Sequence, residues 1–168
     1  NYGPTPPTGW TIEGGVLRGD QKASQLNSAW TFGDFDLAFA WTASDDGVWE
    51  IVLPVLHIEG QPPAGIDSAV RILLKGKRDI EMLAPGAAAS GSFAANDDGP
   101  FKTTIRRSGK TLTVQIGDGA TFEVSVDPKV RLGLALKLSS GSGLLQNLTL
   151  SEPAGEAVFN GRDLAGWW

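Results

Sequence analysis

The chain contains no cysteine, and only one histidine, one methionine and one tyrosine. Without cysteine there can be no disulfide, no zinc–thiolate centre and no thiol nucleophile, and the redox compartment goes unmarked. Long apolar runs are missing as well. None approaches the ~20 residues that a membrane-spanning helix needs, so no membrane span is expected. The start, NYGPTPPTG, lacks the basic region and apolar stretch of a signal peptide. A beginning rich in Pro, Thr and Gly fits a processed, exported chain, and the expected location is extracytoplasmic: secreted, periplasmic or at the cell surface. Positive charge is in deficit, with a net charge of −5. That sign disfavours phosphate backbones and anionic lipid, so nucleic acid is not an expected partner. There is no phosphate-binding loop, no GxSxG elbow and no dinucleotide fingerprint. Helical periodicity is absent too; GQPPAGIDSA has room for one helical turn at most.

What is present is a period of two. In GDFDLAFAW, Phe35, Leu37, Phe39 and Trp41 share one face and Asp34, Asp36, Ala38 and Ala40 the other, the mark of a strand with one buried side. TLTVQI and TFEVSV alternate in the same way, and RLGLALKL places Leu132, Leu134, Leu136 and Leu138 on a single face. IVLPVLHIEG is apolar on both faces and should be covered on both, with Pro54 at a sheet edge or bulge. Between the runs lie SDDG, RRSGK, IGDGA, VDPK and SSGSG, turn clusters spaced as in an antiparallel sheet protein. Residues 85–100, PGAAASGSFAANDDGP, read as a loop over one end.

With 168 residues, 41% of them apolar, the chain can bury roughly 70% of its unfolded surface in one core. The expected fold is all-β: a two-sheet antiparallel β-sandwich of jelly-roll type, with an up-and-down barrel as the lesser alternative. The expected division is a sandwich over 1–150, a linker over 151–157 and a terminal strand over 158–168.

That terminal strand, VFNGRDLAGWW, resembles the phrase that opens the 3-keto-disaccharide hydrolase domains, a bacterial family of concanavalin-like jelly rolls. GWTIEGGVLRG, TFGDFDLAFAW, DSAVRILLKGKRDIEML, TTIRRSGKTLTVQIGDGATFEV and RLGLALKLSSGSGLLQNLTL are similar to later family phrases, in family order. The opening phrase alone is displaced to the end. It could begin a second tandem copy, close a circularly permuted domain, be donated to a neighbouring molecule, or mark an arbitrary cut in a longer protein. Extended, ten residues from Phe159 span about 33 Å, enough to reach a neighbour. Phe159, Asn160, Gly161, Asp163, Leu164, Trp167 and Trp168 are therefore the candidates for self-association into a dimer or filament.

The resemblance implies action on 3-oxo glycosides, in which the carbonyl acidifies a neighbouring proton. Such chemistry wants a base, an acid and a cation for developing oxyanion charge. Arg71 would anchor the sugar and Glu81 would be the base. The family's Gln and Asp after that Glu are replaced here by Leu83 and an Ala-Pro turn, and its His-bearing phrase is missing. A glycan-directed module that binds, or is only weakly catalytic, is the expectation; a self-assembling structural subunit is the alternative.

The remaining candidates rest on the residues themselves. His57, beside Glu59, is either a base or metal ligand or a sheet residue with one nitrogen satisfied, and a lone histidine with no acid at fixed spacing favours the latter. Trp49 could stack on a sugar ring, although tryptophans placed regularly on strands are mostly core. A glycosidase would need two facing carboxylates at roughly 5–10 Å, which the sequence does not pair. No resident cofactor or metal is expected. Calcium alone could be taken by Asp45-Asp46-Gly47 or Asn96-Asp97-Asp98-Gly99, yet neither makes a full ~12-residue loop, and turn chemistry explains both. IRRSGK reads as a small basic patch on a solvated turn.

Overall fold

A computed structural model describes residues 8–13, 16–19, 25–28, 32–58, 69–94 and 99–152. These residues form fifteen strands and no helix. Every pairing is antiparallel.

The strands make two stacked sheets. The seven-stranded sheet runs in the order β1 (Trp10–Glu13), β2 (Val16–Gly19), β15 (Gly143–Ser151), β4 (Phe35–Ala43), β10 (Phe101–Ser108), β11 (Thr111–Ile116) and β12 (Ala120–Ser125). The six-stranded sheet runs β3 (Leu26–Asn27), β14 (Ala135–Ser140), β5 (Val48–Leu53), β7 (Val70–Lys75), β8 (Asp79–Ala84) and β9 (Ala87–Ser92). A two-stranded piece, β6 (Val55–Ile58) with β13 (Val130–Leu132), lies at one end. The expected β-sandwich is the observed one.

Strand parity builds the core. Phe35, Leu37, Phe39 and Trp41 of β4, Ile105 of β10, Leu112, Val114 and Ile116 of β11, and Leu145 and Leu150 of β15 are buried. From the other sheet come Trp49, Ile51 and Leu53 of β5, Ile72 and Leu74 of β7, Ile80 and Met82 of β8, and Leu136 and Leu138 of β14. Each large side chain so buried contributes roughly 1.5–3 kcal/mol. Trp41 packs edge-on against Phe93 and Phe101, with centroids 5.9 and 5.0 Å away, and its indole N–H donates to Thr103 Oγ1 at 2.9 Å.

Three expectations change. IVLPVLHI, with Pro54 expected at a sheet edge or bulge, divides there into two strands: the chain leaves the six-stranded sheet at Pro54, which has no N–H for the ladder, and β6 pairs with β13 instead. RLGLALKL breaks in the same way at Gly133-Leu134, between β13 and β14, although all four of its leucines stay buried. The two breaks are tied together, since Gly133 N donates to Pro54 O at 2.8 Å. Within residues 85–100, Ala87–Ser92 is an edge strand on β8 rather than loop. Its residues are too small to show a hydrophobic period, but backbone pairing needs no side chain. Smallness is also required there, because a Cβ on Gly91 would stand 2.7 Å from the Phe122 ring.

β15 continues to Ser151. The terminal strand expected over 158–168 lies outside the described residues.

Candidate functional site

The outer face of the six-stranded sheet carries the charged groups. Register aligns Ala135, Val52, Arg71, Leu83 and Ala88 in one row across β14, β5, β7, β8 and β9, and Lys137, Glu50, Leu73, Glu81 and Ser90 in the next. Along β5 the inward residues are Trp49, Ile51 and Leu53, so Glu50 and Val52 must face outward.

Glu50 is nevertheless only 5% exposed. A carboxylate at that depth needs charge partners and hydrogen bonds. Arg71 Nε donates to its Oε1 at 2.8 Å, and Arg71 Nη2 lies 2.8 Å from the same oxygen. Lys137 Nζ stands 3.5 Å from Oε2. One carboxylate from β5 is thus held between cations from the strands on either side.

These three line a groove of about 640 Å³ that lies against the sheet, with Val52, Pro54 and Leu83 among its apolar walls. Its volume falls within the ~300–1,000 Å³ typical of ligand sites. Leu83 is the large apolar side chain that stays exposed among the described residues.

Arg71 and Glu81 lie on this one face, but they are not partners. Glu81 Oε2 accepts from Lys75 Nζ at 2.8 Å, does not line the groove and sits one row away. The groove instead takes in Glu50 and Lys137, which sequence reasoning missed. The signal available was Glu50 itself, a charge at outward parity in VWEIVL. The expectation that IVLPVLHIEG is covered on both faces is likewise corrected at Val52, which is half-buried and lines the groove.

Trp49 cannot stack on a ligand from this position. It faces the core, fully buried, with its ring centroid 5.7 Å from that of Trp10, and its indole N–H donates to Thr42 O at 2.9 Å. His57 is on β6, in register with Arg131, and so belongs to the small two-stranded sheet rather than to the face that bears Arg71 and Glu81.

The basic patch in IRRSGK is corrected too. Arg106 pairs with Asp36 at the surface, but Arg107 has inward parity on β10 and is 2% exposed. Its guanidinium donates to the carbonyls of Val130 at 2.6 Å, Asp127 at 3.0 Å, Gly109 at 3.2 Å and Gly33 at 3.4 Å. Burial pushes its pKa below the ordinary arginine value, and nearby Asp34 and Asp127 oppose that shift. Arg107 closes one end of the sandwich from within.

Among the described residues no three His, Cys, Asp or Glu side chains gather to hold a metal ion. Asp46 is engaged in its turn: Ser44 Oγ donates to its Oδ1 at 2.8 Å, and Ser140 Oγ to its carbonyl at 2.6 Å. Asn96, Asp97 and Asp98 lie outside the described residues. No helix among the described residues is long and apolar enough to cross a membrane.

No family model matches the sequence, and no curated protein matches it. Solved structures do. The carbohydrate binding module CBM66 from Bacillus subtilis superimposes with a TM-score of 0.53 at 12% identity, covering 85% of this chain and 91% of that one. A proposed glycosyl hydrolase from Parabacteroides distasonis gives 0.60 at 10% identity, over 86% and 83% of the two chains. A protein of unknown function with a galectin-like fold, also from Bacillus subtilis, gives 0.55 at 13% identity, over 89% and 87%. At these identities the likeness is one of fold: the chain has the galectin-like and concanavalin-like β-sandwich architecture.

Proposed function

We propose that this domain binds saccharides in the groove on its six-stranded sheet. The observation that carries the reading is the triad of Glu50, Arg71 and Lys137, brought from three neighbouring strands to one groove beside the exposed Leu83. Sugars present hydroxyls at their edges and C–H groups on their faces. Fixed charged donors and a carboxylate beside aliphatic walls answer both, and side chains locked by an ion pair lose little entropy on binding. Two of the similar structures are described as a carbohydrate binding module and a proposed glycosyl hydrolase, which supports the reading. So does the resemblance of the sequence phrases to 3-keto-disaccharide hydrolases, for which Arg71 would be the sugar anchor.

The reading is one of binding. Glu81, which the resemblance would make a base, is tied to Lys75 outside the groove, and Glu50 is committed to two cations. The saccharides concerned would be extracytoplasmic ones, such as the polymers of a cell surface or its surroundings.

Titration calorimetry against neutral and acidic oligosaccharides tests this. Binding by the wild type, lost in Glu50→Ala and in Lys137→Ala variants that keep their fold by circular dichroism, is the expected result. A wild-type chain indifferent to every saccharide would overturn it.

A further inference from the structure

The charge inventory of the groove goes beyond this reading while resting on it. The groove is lined by two cations, Arg71 and Lys137, and by one anion, Glu50, in a chain whose overall charge is −5. The other acids on this face, Asp79 and Glu81, stand further along β8 beside Lys75 and do not line it. Among the described residues, then, a net-acidic molecule keeps a net-cationic groove.

The hydrogen-bonding capacity is skewed in the same direction. Glu50 is the acidic acceptor, its two oxygens already facing Arg71 and Lys137, and the neutral polar side chain in the lining, Gln25, adds one amide whose Nε2 donates to Asn27 Oδ1. Arg71 directs Nε and Nη2 at Glu50, which leaves other N–H donors of its five, and its side chain is 46% exposed. Lys137 is 38% exposed and carries three donors. A neutral sugar edge, made of hydroxyls, wants acceptors as well as donors. A group that brings only acceptors and a negative charge fits better, and a guanidinium fork beside an ammonium matches a planar carboxylate.

We infer that the groove selects saccharides that bear a carboxylate, that is, uronic or other sugar acids, with Arg71 and Lys137 receiving the carboxylate and Glu50 positioning both cations. Leu83, in register with Arg71, would lie under the aliphatic part of the sugar ring.

Carboxyl-reduced oligosaccharides provide the matched probe, because reduction turns each uronate into its neutral sugar and changes little else. Calorimetric affinities of the full chain would be compared for oligogalacturonate, oligomannuronate and their reduced counterparts. The expected result is an affinity at least about tenfold higher for one uronate than for its reduced form, ~1.4 kcal/mol. Lys137→Gln should shrink that ratio, whereas Lys110→Gln, the same charge change on the β10–β11 turn of the other sheet, should not. Equal affinity for acidic and reduced forms would overturn the carboxylate inference and leave saccharide binding standing. Binding of no saccharide at all would overturn both.

Discussion

Arg71 reaches across the β5–β7 pair to Glu50, and the two are unequal in burial: the carboxylate side chain is 6% exposed and the guanidinium side chain 46%. Losing the arginine leaves a buried anion with only its longer contact to Lys137, but losing the anion leaves an arginine that water can reach. Arg71→Met should therefore cost about 2 kcal/mol, and Glu50→Gln less than about 1 kcal/mol. Urea midpoints give the order directly, and the reverse order would refute the asymmetry.

Leu83 separates binding from stability. Its side chain is exposed on the groove wall, so Leu83→Ser should leave the denaturation midpoint within about 0.5 kcal/mol of wild type. Saccharide affinity should fall about fivefold, ~1 kcal/mol. An unchanged affinity measured by calorimetry would remove Leu83 from the site.

Arg107 predicts the largest loss from a charged residue. Arg107→Met orphans carbonyls on four segments, at Gly33, Gly109, Asp127 and Val130. The expected cost is about 3 kcal/mol, or roughly 6–12 °C in Tm for a domain of this size. Arg107→Lys should recover only part of it, because a point ammonium cannot span the same carbonyls. Differential scanning calorimetry of the two variants decides the point.

Gly76 marks where two backbones touch. A Cβ there would stand 1.9 Å from Ser44 O, a main-chain atom held in the turn that also accepts from Gly47 N. Gly76→Ala is expected to cost about 3 kcal/mol. Gly119→Ala, which meets nothing within 4 Å, should stay within about 0.5 kcal/mol of wild type. Parallel urea melts would expose any failure of this contrast.

Thr103 satisfies a buried indole. Thr103→Val keeps the shape but leaves the Trp41 N–H without its acceptor, at a cost of about 1–3 kcal/mol. Thr103→Ser, which retains the hydroxyl, should cost less. If the two lose stability equally, packing rather than the hydrogen bond is responsible.

The sequence made some of this legible and hid the rest for physical reasons. The strand with Phe35, Leu37, Phe39 and Trp41 was readable because one buried face imposes a period of two. Ala87–Ser92 was not, since alanine, serine and glycine show no period and only backbone pairing with β8 defines the strand. Arg71 and Glu81 were singled out by resemblance, as sugar anchor and base, but their actual partners, Glu50 and Lys75, follow from register. Register is set by turns elsewhere in the chain. Arg107 could have been found: counting by twos from Phe101 through Thr103 and Ile105 puts it inside, against the usual habit of charged residues.

The paired breaks at Pro54 and Gly133 bear on how fast a ligand could be captured. β5 and β14 form the groove floor around Glu50 and Lys137, and both leave the sheet where Gly133 N meets Pro54 O, with Pro54 itself on the groove wall. The paired β5 and β14 of the floor are thus tied by a backbone hydrogen bond to the wall at Pro54. Association with so pre-shaped a surface should be a single exponential process whose rate rises linearly with saccharide concentration, with no slow isomerisation to follow.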